Sequence, residues 1–174
     1  TDKLLYGEVN PSGRLAETFP LRLEDNPSYL NFPGDGVNVD YAEGIYVGYR
    51  YYDARKMPVR WAFGHGLSYT EYEYSNLNMP AESLDDKGCV KVTVDVKNRG
   101  SMVGKEVVQL YVSDKNGTAG RPVKELKGFA KVELQPGETK TVEFALTARD
   151  LSFYHEGLGD RYAPSGTYEV LIGH

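Results

Sequence analysis

The sequence predicts an antiparallel β-sandwich over residues 72–174, preceded by an irregular arm over residues 1–71. Three observations carry this. Apolar and polar residues alternate with period two after Tyr72, turn residues punctuate the alternating runs, and the first half is crowded with proline, glycine and aromatic residues.

In the arm, Pro11, Pro20, Pro27, Pro33 and Pro58 and many glycines interrupt every regular pattern. No helix or strand longer than about ten residues survives such breakers. Aromatic residues gather at 41–52 and 61–74, which does not suit disorder, because each ring buries a large area once a surface is offered. The arm is therefore expected to lie across another surface.

After Tyr72 the strands follow in turn. Val90, Val92, Val94 and Val96 alternate with Lys91, Thr93, Asp95 and Lys97, so one face of a strand is apolar and the other wet. The run closes at Asn98-Arg99-Gly100, a turn composition. Val108, Leu110 and Val112 form one face of a strand at 105–113. A strand at 129–134 turns at Pro136-Gly137 into one where Val142, Phe144 and Leu146 alternate with Thr141, Glu143 and Ala145. Pro164-Ser165-Gly166 introduces a last strand with Tyr168, Val170 and Ile172 on one face. Roughly seven short strands at regular spacing, with no amphipathic helix among them, favour a two-sheet sandwich of immunoglobulin or fibronectin III type.

Composition excludes several function classes. A net charge of −5, from 20 basic and 25 acidic residues without a long run of one sign, gives no hold on nucleic acid or an anionic membrane. Cys89 is the single cysteine, which removes disulfide frameworks and thiolate zinc sites and fits a cytoplasmic or a secreted protein equally. The opening residues Thr1-Asp2-Lys3-Leu4-Leu5-Tyr6 have neither an initiating Met nor the pattern of a signal peptide, and read as an internal cut in a longer protein.

Candidate chemistry is sparse. Asp40, Glu43 and Asp53 could form a carboxylate pair, but are better read as acceptors for backbone groups or for Arg50 and Arg55. His65, His155 and His174 are too dispersed for a metal, and His65 between two glycines reads as a turn residue with a satisfied ring. Asp114-Lys115-Asn116-Gly117-Thr118, with Glu125 at the twelfth position, begins like a calcium loop. Ala119 stands where that loop needs glycine, so a surface hairpin is expected. Asn116-Gly117-Thr118 is also a glycosylation sequon. Tyr49, Tyr51, Tyr52 and Trp61 could stack on sugar rings, although their density favours packing against a neighbouring domain. Tyr111 and Tyr168 are the strand residues that a carbohydrate-binding face would use.

Three segments are more specific: Gly7-Glu8-Val9-Asn10-Pro11-Ser12-Gly13-Arg14-Leu15, Glu43-Gly44-Ile45-Tyr46-Val47-Gly48-Tyr49-Arg50-Tyr51-Tyr52-Asp53, and Phe63-Gly64-His65-Gly66-Leu67-Ser68-Tyr69-Thr70. In this order they resemble family 3 glycoside hydrolases of the β-glucosidase type. Val92–Gly100, Gly104–Val112 and Arg121-Pro122-Val123-Lys124-Glu125-Leu126-Lys127-Gly128-Phe129 are similar to the fibronectin III-like domain that ends those enzymes. Ala16, where a proline is frequent, and Trp61-Ala62, where an aromatic-proline pair is common, are small departures.

The resemblance implies that residues 1–71 are the end of a second, α/β domain plus a linker. It implies a retaining parent whose aspartate nucleophile and glutamate acid/base precede Thr1, so no catalytic, cofactor-binding or metal residue is assigned here. The expected partners are the N-terminal catalytic domains of the same enzyme, a β-linked glycoside acted on by the parent, and a second copy in a homodimer. A free-standing carbohydrate-binding or structural module is the competing reading.

Overall fold

The computed structural model describes residues 1–80, 83–85, 87–118 and 120–173. The arm holds α1 (Asp2–Leu5), β1 (Phe19–Pro20), a 3₁₀ turn (Leu23–Asp25), α2 (Tyr49–Arg55) and β2 (Val59–Trp61). There follow β3 (Tyr72–Asn78), β4 (Cys89–Asn98), β5 (Gly104–Asp114), β6 (Glu125–Leu134), β7 (Thr139–Thr147), α3 (Ala148–Leu151), β8 (Phe153–His155), β9 (Asp160–Tyr162) and β10 (Tyr168–Gly173).

Two three-stranded antiparallel sheets, β3-β4-β7 and β10-β5-β6, face each other, which makes the expected fibronectin III-like sandwich. Strand β4 pairs with β7 without a break from Cys89 opposite Thr147 to Lys97 opposite Thr139. The short hairpin β8-β9 had no sequence signal, and it takes the strand count of this half to eight among the described residues. Strand β6 begins at Glu125, four residues before the alternating run that marked it.

The alternating valines do what their period requires: Val90, Val92, Val94 and Val96 are all buried, while Lys91 stays outside. One core cluster joins Val90, Val92, Leu110, Val112 and Leu146, and a second joins Val94, Val96, Val108, Leu134 and Val142. Phe144 and Ile172 pack against both and make one core of them. Gly128 leaves room for the Phe144 ring, since a Cβ there would lie 3.0 Å from it.

Asn98 ties the end of β4 to its surroundings. It has no solvent exposure, and its amide uses both ends. Oδ1 accepts from Thr70 Oγ1 at 2.5 Å and Gly100 N–H at 3.0 Å, and Nδ2 donates to the carbonyls of Met102 at 2.8 Å and Leu134 at 3.1 Å. This joins the segment leading into β3, the β4-β5 turn and the end of β6. Truncating it strands several buried groups, each at about 1–3 kcal/mol. Asn98→Ala is therefore expected to lose about 3 kcal/mol or more in urea denaturation, whereas Thr141→Ala on the wet face should lose less than about 1 kcal/mol.

Candidate functional site

The chemistry of this chain concentrates where the arm meets the sandwich. On β5 the core-facing parity that includes Val108, Leu110 and Val112 also includes Glu106, a carboxylate with no solvent exposure. A charge there needs a partner and further hydrogen bonds. Arg14 of the arm supplies the charge by donating Nη2–H to Glu106 Oε2, and Tyr74 of β3 donates its hydroxyl to Oε1 at 2.8 Å. Burial, followed by the Glu106 charge, pushes the Tyr74 phenol above its ordinary value, so the hydroxyl stays protonated and remains a donor. Arg14 is held in turn by the Gly66 carbonyl, 2.9 Å from Nη1. A side chain at Gly66 would strike the Gly13 carbonyl and the Arg14 side chain.

Asn10 sets the level of this crossing. Its Oδ1 accepts from Ser68 Oγ at 3.0 Å and Tyr69 N–H at 2.9 Å, while Nδ2 donates to the Val103 carbonyl at 3.4 Å. Lys131 of β6 reaches the Ser12 carbonyl at 2.9 Å.

The outer face of β10-β5-β6 is covered in part as well, around Gln109 and Tyr111. Gln109 and Ser113 point away from the core yet are buried. Gly64 lies against the Gln109 amide so closely that a Cβ would come 2.6 Å from Nε2. Tyr111 packs edge-on to Tyr49 at 5.9 Å and donates its hydroxyl to Gln109 Oε1. Its phenol is pushed up to about 12 by burial and then by its neighbours Tyr49 and Asp53. Tyr49 also stacks on Phe63 at 4.9 Å, and its hydroxyl accepts the Leu126 N–H at 2.8 Å. The arm therefore forms a third layer on this sheet.

Charge pairs border the layer. Glu125 faces Arg121 at 2.5 Å, Lys127 at 3.5 Å and Arg50 at 3.6 Å. Burial works against its ionised form, but the Arg121 hydrogen bond and the charges of Lys127, Arg121 and Arg50 outweigh burial and hold the carboxyl below its usual range. Arg121 also donates to the Leu151 carbonyl at 2.7 Å and lies over the Phe153 ring.

Several expectations need correction at this joint. Arg50 pairs with Glu125 rather than with the arm's own carboxylates, and Arg55 lies beside the Tyr51 ring. Asp53 forms an ion pair with Lys124 at 3.4 Å. At Asp40 and Glu43 it is the backbone carbonyls that accept, from Asn31 and Tyr46, while Glu43 Oε2 is buried without a hydrogen bond. Tyr49 and Tyr52 anchor the arm to this chain's own surface, with Tyr52 only 4% exposed. His65 is exposed and fixes its turn through the backbone, donating to Ala62 and accepting from Leu15. His155 packs between Phe153 and Tyr162.

In the calcium-like loop, Asp114 and Glu125 both bond Arg121, which fills the place of a cation. Ala119 and His174 lie outside the described residues. Tyr111 is under the arm and Tyr168 packs on the core, so the two do not make an exposed row. Among the described residues, no group of three or more His, Cys, Asp or Glu could hold a metal ion, and no helix is long and apolar enough to cross a membrane.

Arg14, Glu106 and Gln109 lie within the segments that carry the family resemblance, yet are not among the candidate site residues that the sequence offers. A charged residue in phase with a buried apolar face was the available signal. Exposed apolar side chains run along the arm, from Leu5, Tyr6, Leu21, Leu23, Leu30, Phe32 and Val37, with Leu30 at 91% exposure, to Tyr41, Ile45, Val47, Leu67 and Tyr69.

Residues 2–49 match the glycosyl hydrolase family 3 C-terminal domain, and residues 106–174 match the fibronectin type III-like domain. A thermostable beta-glucosidase B of Acetivibrio thermocellus is 53% identical over 170 residues, which is 98% of this chain and 22% of that protein. A probable beta-glucosidase I of Aspergillus fumigatus is 47% identical over 174 residues, 97% of this chain and 21% of that protein. Among solved structures, a beta-glucosidase of Kluyveromyces marxianus in complex with glucose superposes with a TM-score of 0.89 at 44% identity, covering 98% of this chain and 20% of that one. Beta-glucosidase 3B of Thermotoga neapolitana does so with a TM-score of 0.88 at 41% identity, covering 98% of this chain and 24% of that one. The chain thus spans about a fifth of the length of the curated relatives it matches.

Two outcomes follow from the joint. Arg14→Met removes the guanidinium that bonds the buried Glu106 and is expected to cost about 3–5 kcal/mol in urea denaturation, with Arg14→Met/Glu106→Met recovering more than half of it. Glu125 has a folded pKa below its ordinary value, so its stabilisation is complete above the unfolded value and is lost as pH falls through the folded one. Thermal melts from about pH 6 to about pH 3 should show a shallower acid decline for Glu125→Gln than for the parent sequence.

Proposed function

We propose that this chain, which belongs to the C-terminal region of the family 3 glycoside hydrolases, is the non-catalytic portion of a β-glucosidase-like enzyme and braces the domains that do the chemistry. Residues 1–71 are then the end of the α/β domain with its linker, and residues 72–174 the fibronectin III-like sandwich. The parent hydrolyses terminal non-reducing β-D-glycosyl residues with retention, using two carboxyl groups about 5–5.5 Å apart that lie in the preceding domains.

One observation carries this reading. The segment that matches the family 3 C-terminal domain is fastened to the sandwich by Arg14 and Tyr49, yet leaves large apolar side chains such as Leu5, Tyr6, Leu23, Leu30, Phe32 and Val37 exposed. Large apolar side chains left exposed in such number support a contact with another body. A brace needs both features, a rigid attachment to one body and apolar surface to offer another.

The isolated chain should show no turnover of aryl β-glucosides, and hydrolysis by it would overturn the reading. In the whole enzyme, Arg14→Met should lower the temperature of thermal inactivation while leaving KM for an aryl β-glucoside unchanged, because it weakens the brace and touches no substrate. A large rise in KM with unchanged heat stability would place Arg14 in substrate binding instead.

A further inference from the structure

Two Asx-Gly pairs occur in the chain, Asp35-Gly36 and Asn116-Gly117, and their surroundings differ. Asp35 Oδ1 accepts the N–H groups of Asn38 at 2.6 Å and Val37 at 2.8 Å, and these bonds hold its carboxyl ionised below the usual range. An ionised carboxylate is a poor target for a nucleophile.

Asn116 stands otherwise. It is exposed in the connection between β5 and β6, and its side-chain oxygen accepts the Thr167 N–H at 2.7 Å. Gly117, at φ 72°, has no heavy atom within 4 Å of the place a Cβ would occupy. With no side chain of its own, Gly117 does not shield its backbone nitrogen. The Thr167 N–H polarises the Asn116 carbonyl and would stabilise negative charge developing on that oxygen, as oxyanion donors do.

We propose that Asn116-Gly117 is a site of spontaneous succinimide formation in the folded protein, which converts Asn116 to aspartate or isoaspartate. The Gly117 backbone nitrogen loses its proton to solvent base and attacks the Asn116 side-chain carbonyl carbon. The new C–N bond closes a five-membered ring, and the tetrahedral oxyanion collapses with expulsion of ammonia. Water then adds to either ring carbonyl and breaks one C–N bond, giving aspartate or isoaspartate. In sum, water is consumed and ammonia released, with no change of oxidation state.

The position gives the change a structural consequence. Lys115 N–H bonds the Thr167 carbonyl at 3.0 Å and Asn116 bonds the Thr167 N–H, so together they hold the entry to β10. Isoaspartate inserts a methylene group into the main chain at that point. Aspartate adds a charge beside Asp114, whose Oδ1 already accepts the Asn116 N–H at 2.7 Å. Either product loosens the start of an edge strand of the sandwich.

The test is to hold the full chain, folded, at alkaline pH and 37 °C, and to follow each asparagine by peptide mass and by isoaspartyl methyl transfer. The peptide containing Asn116 should gain about 1 Da at least about tenfold faster than peptides containing Asn38 or Asn76, and Gly117→Ala should slow it by a similar factor. Asn116→Gln keeps the acceptor but not the five-membered ring, and should abolish conversion even if Gly117→Ala disturbs the loop. Conversion at Asn116 no faster than at Asn38 or Asn76 in the folded chain would overturn the proposal, even if the urea-unfolded chain converts. So would equal rates in Gly117→Ala and the parent sequence.

Discussion

A carboxylate with no exposure to water inside a β-sandwich can persist only if a cation is brought to it, and Glu106 receives its cation from the other end of the sequence. Much of the arm's course follows from this. For Arg14 to enter between the sheets, the chain on either side must approach closely enough that Gly66 cannot carry a side chain. Asn10 must fix the crossing against the Val103 carbonyl, the Ser68 hydroxyl and the Tyr69 N–H. The arm then continues over β5, where Gly64, Phe63 and Tyr49 close the outer face. The lack of regular structure in the arm is a consequence, because its backbone follows a surface that another element has already shaped.

Apolar burial and the ion pair divide the work. The two valine-rich clusters supply non-directional stabilisation, which would be served about as well by a register shifted by two residues or a slightly rotated sheet. Glu106 with Arg14 and Tyr74 supplies little net energy once desolvation is counted, but it tolerates one geometry. Asn98 acts in the same sense at the other polar knot, joining three segments through four hydrogen bonds with both ends of one amide. A brace transmits position only if its own parts cannot slide, and these two polar groups prevent sliding where valines would permit it.

The sandwich was legible in the sequence wherever one face of a strand is wet. Strand β4 shows this best, because Lys91, Thr93, Asp95 and Lys97 mark the outside as clearly as the valines mark the inside. Strand β5 was only half legible. Its inward parity is plain, but its outward residues Gln109 and Ser113 are buried, Gln109 beneath Gly64 of the arm, and polar side chains ordinarily signal water. The short β8-β9 pair carries too few residues for any periodicity. The joint was hidden for a related reason: Arg14 and Glu106 meet across 92 positions, and pattern reasoning along a chain has no means of pairing distant charges. The motifs that established the resemblance did contain them, as well as the glycines that make the close approach possible.

The arm's two faces differ in kind, and the difference bears on its proposed role. The face toward the sandwich is specific: Tyr49 accepts a backbone N–H, Asp53 pairs with Lys124, and Arg50 pairs with Glu125. Elsewhere between Leu4 and Val47 the arm leaves large apolar side chains such as Leu5, Leu23, Leu30 and Val37 exposed beside charged ones such as Arg22, Glu24 and Asp35. Apolar side chains left exposed on an element already fixed to one neighbour suit a contact with a second. That is the arrangement expected of a segment shared between two domains of one enzyme, where the sandwich holds the segment in shape and the neighbouring domain closes over it.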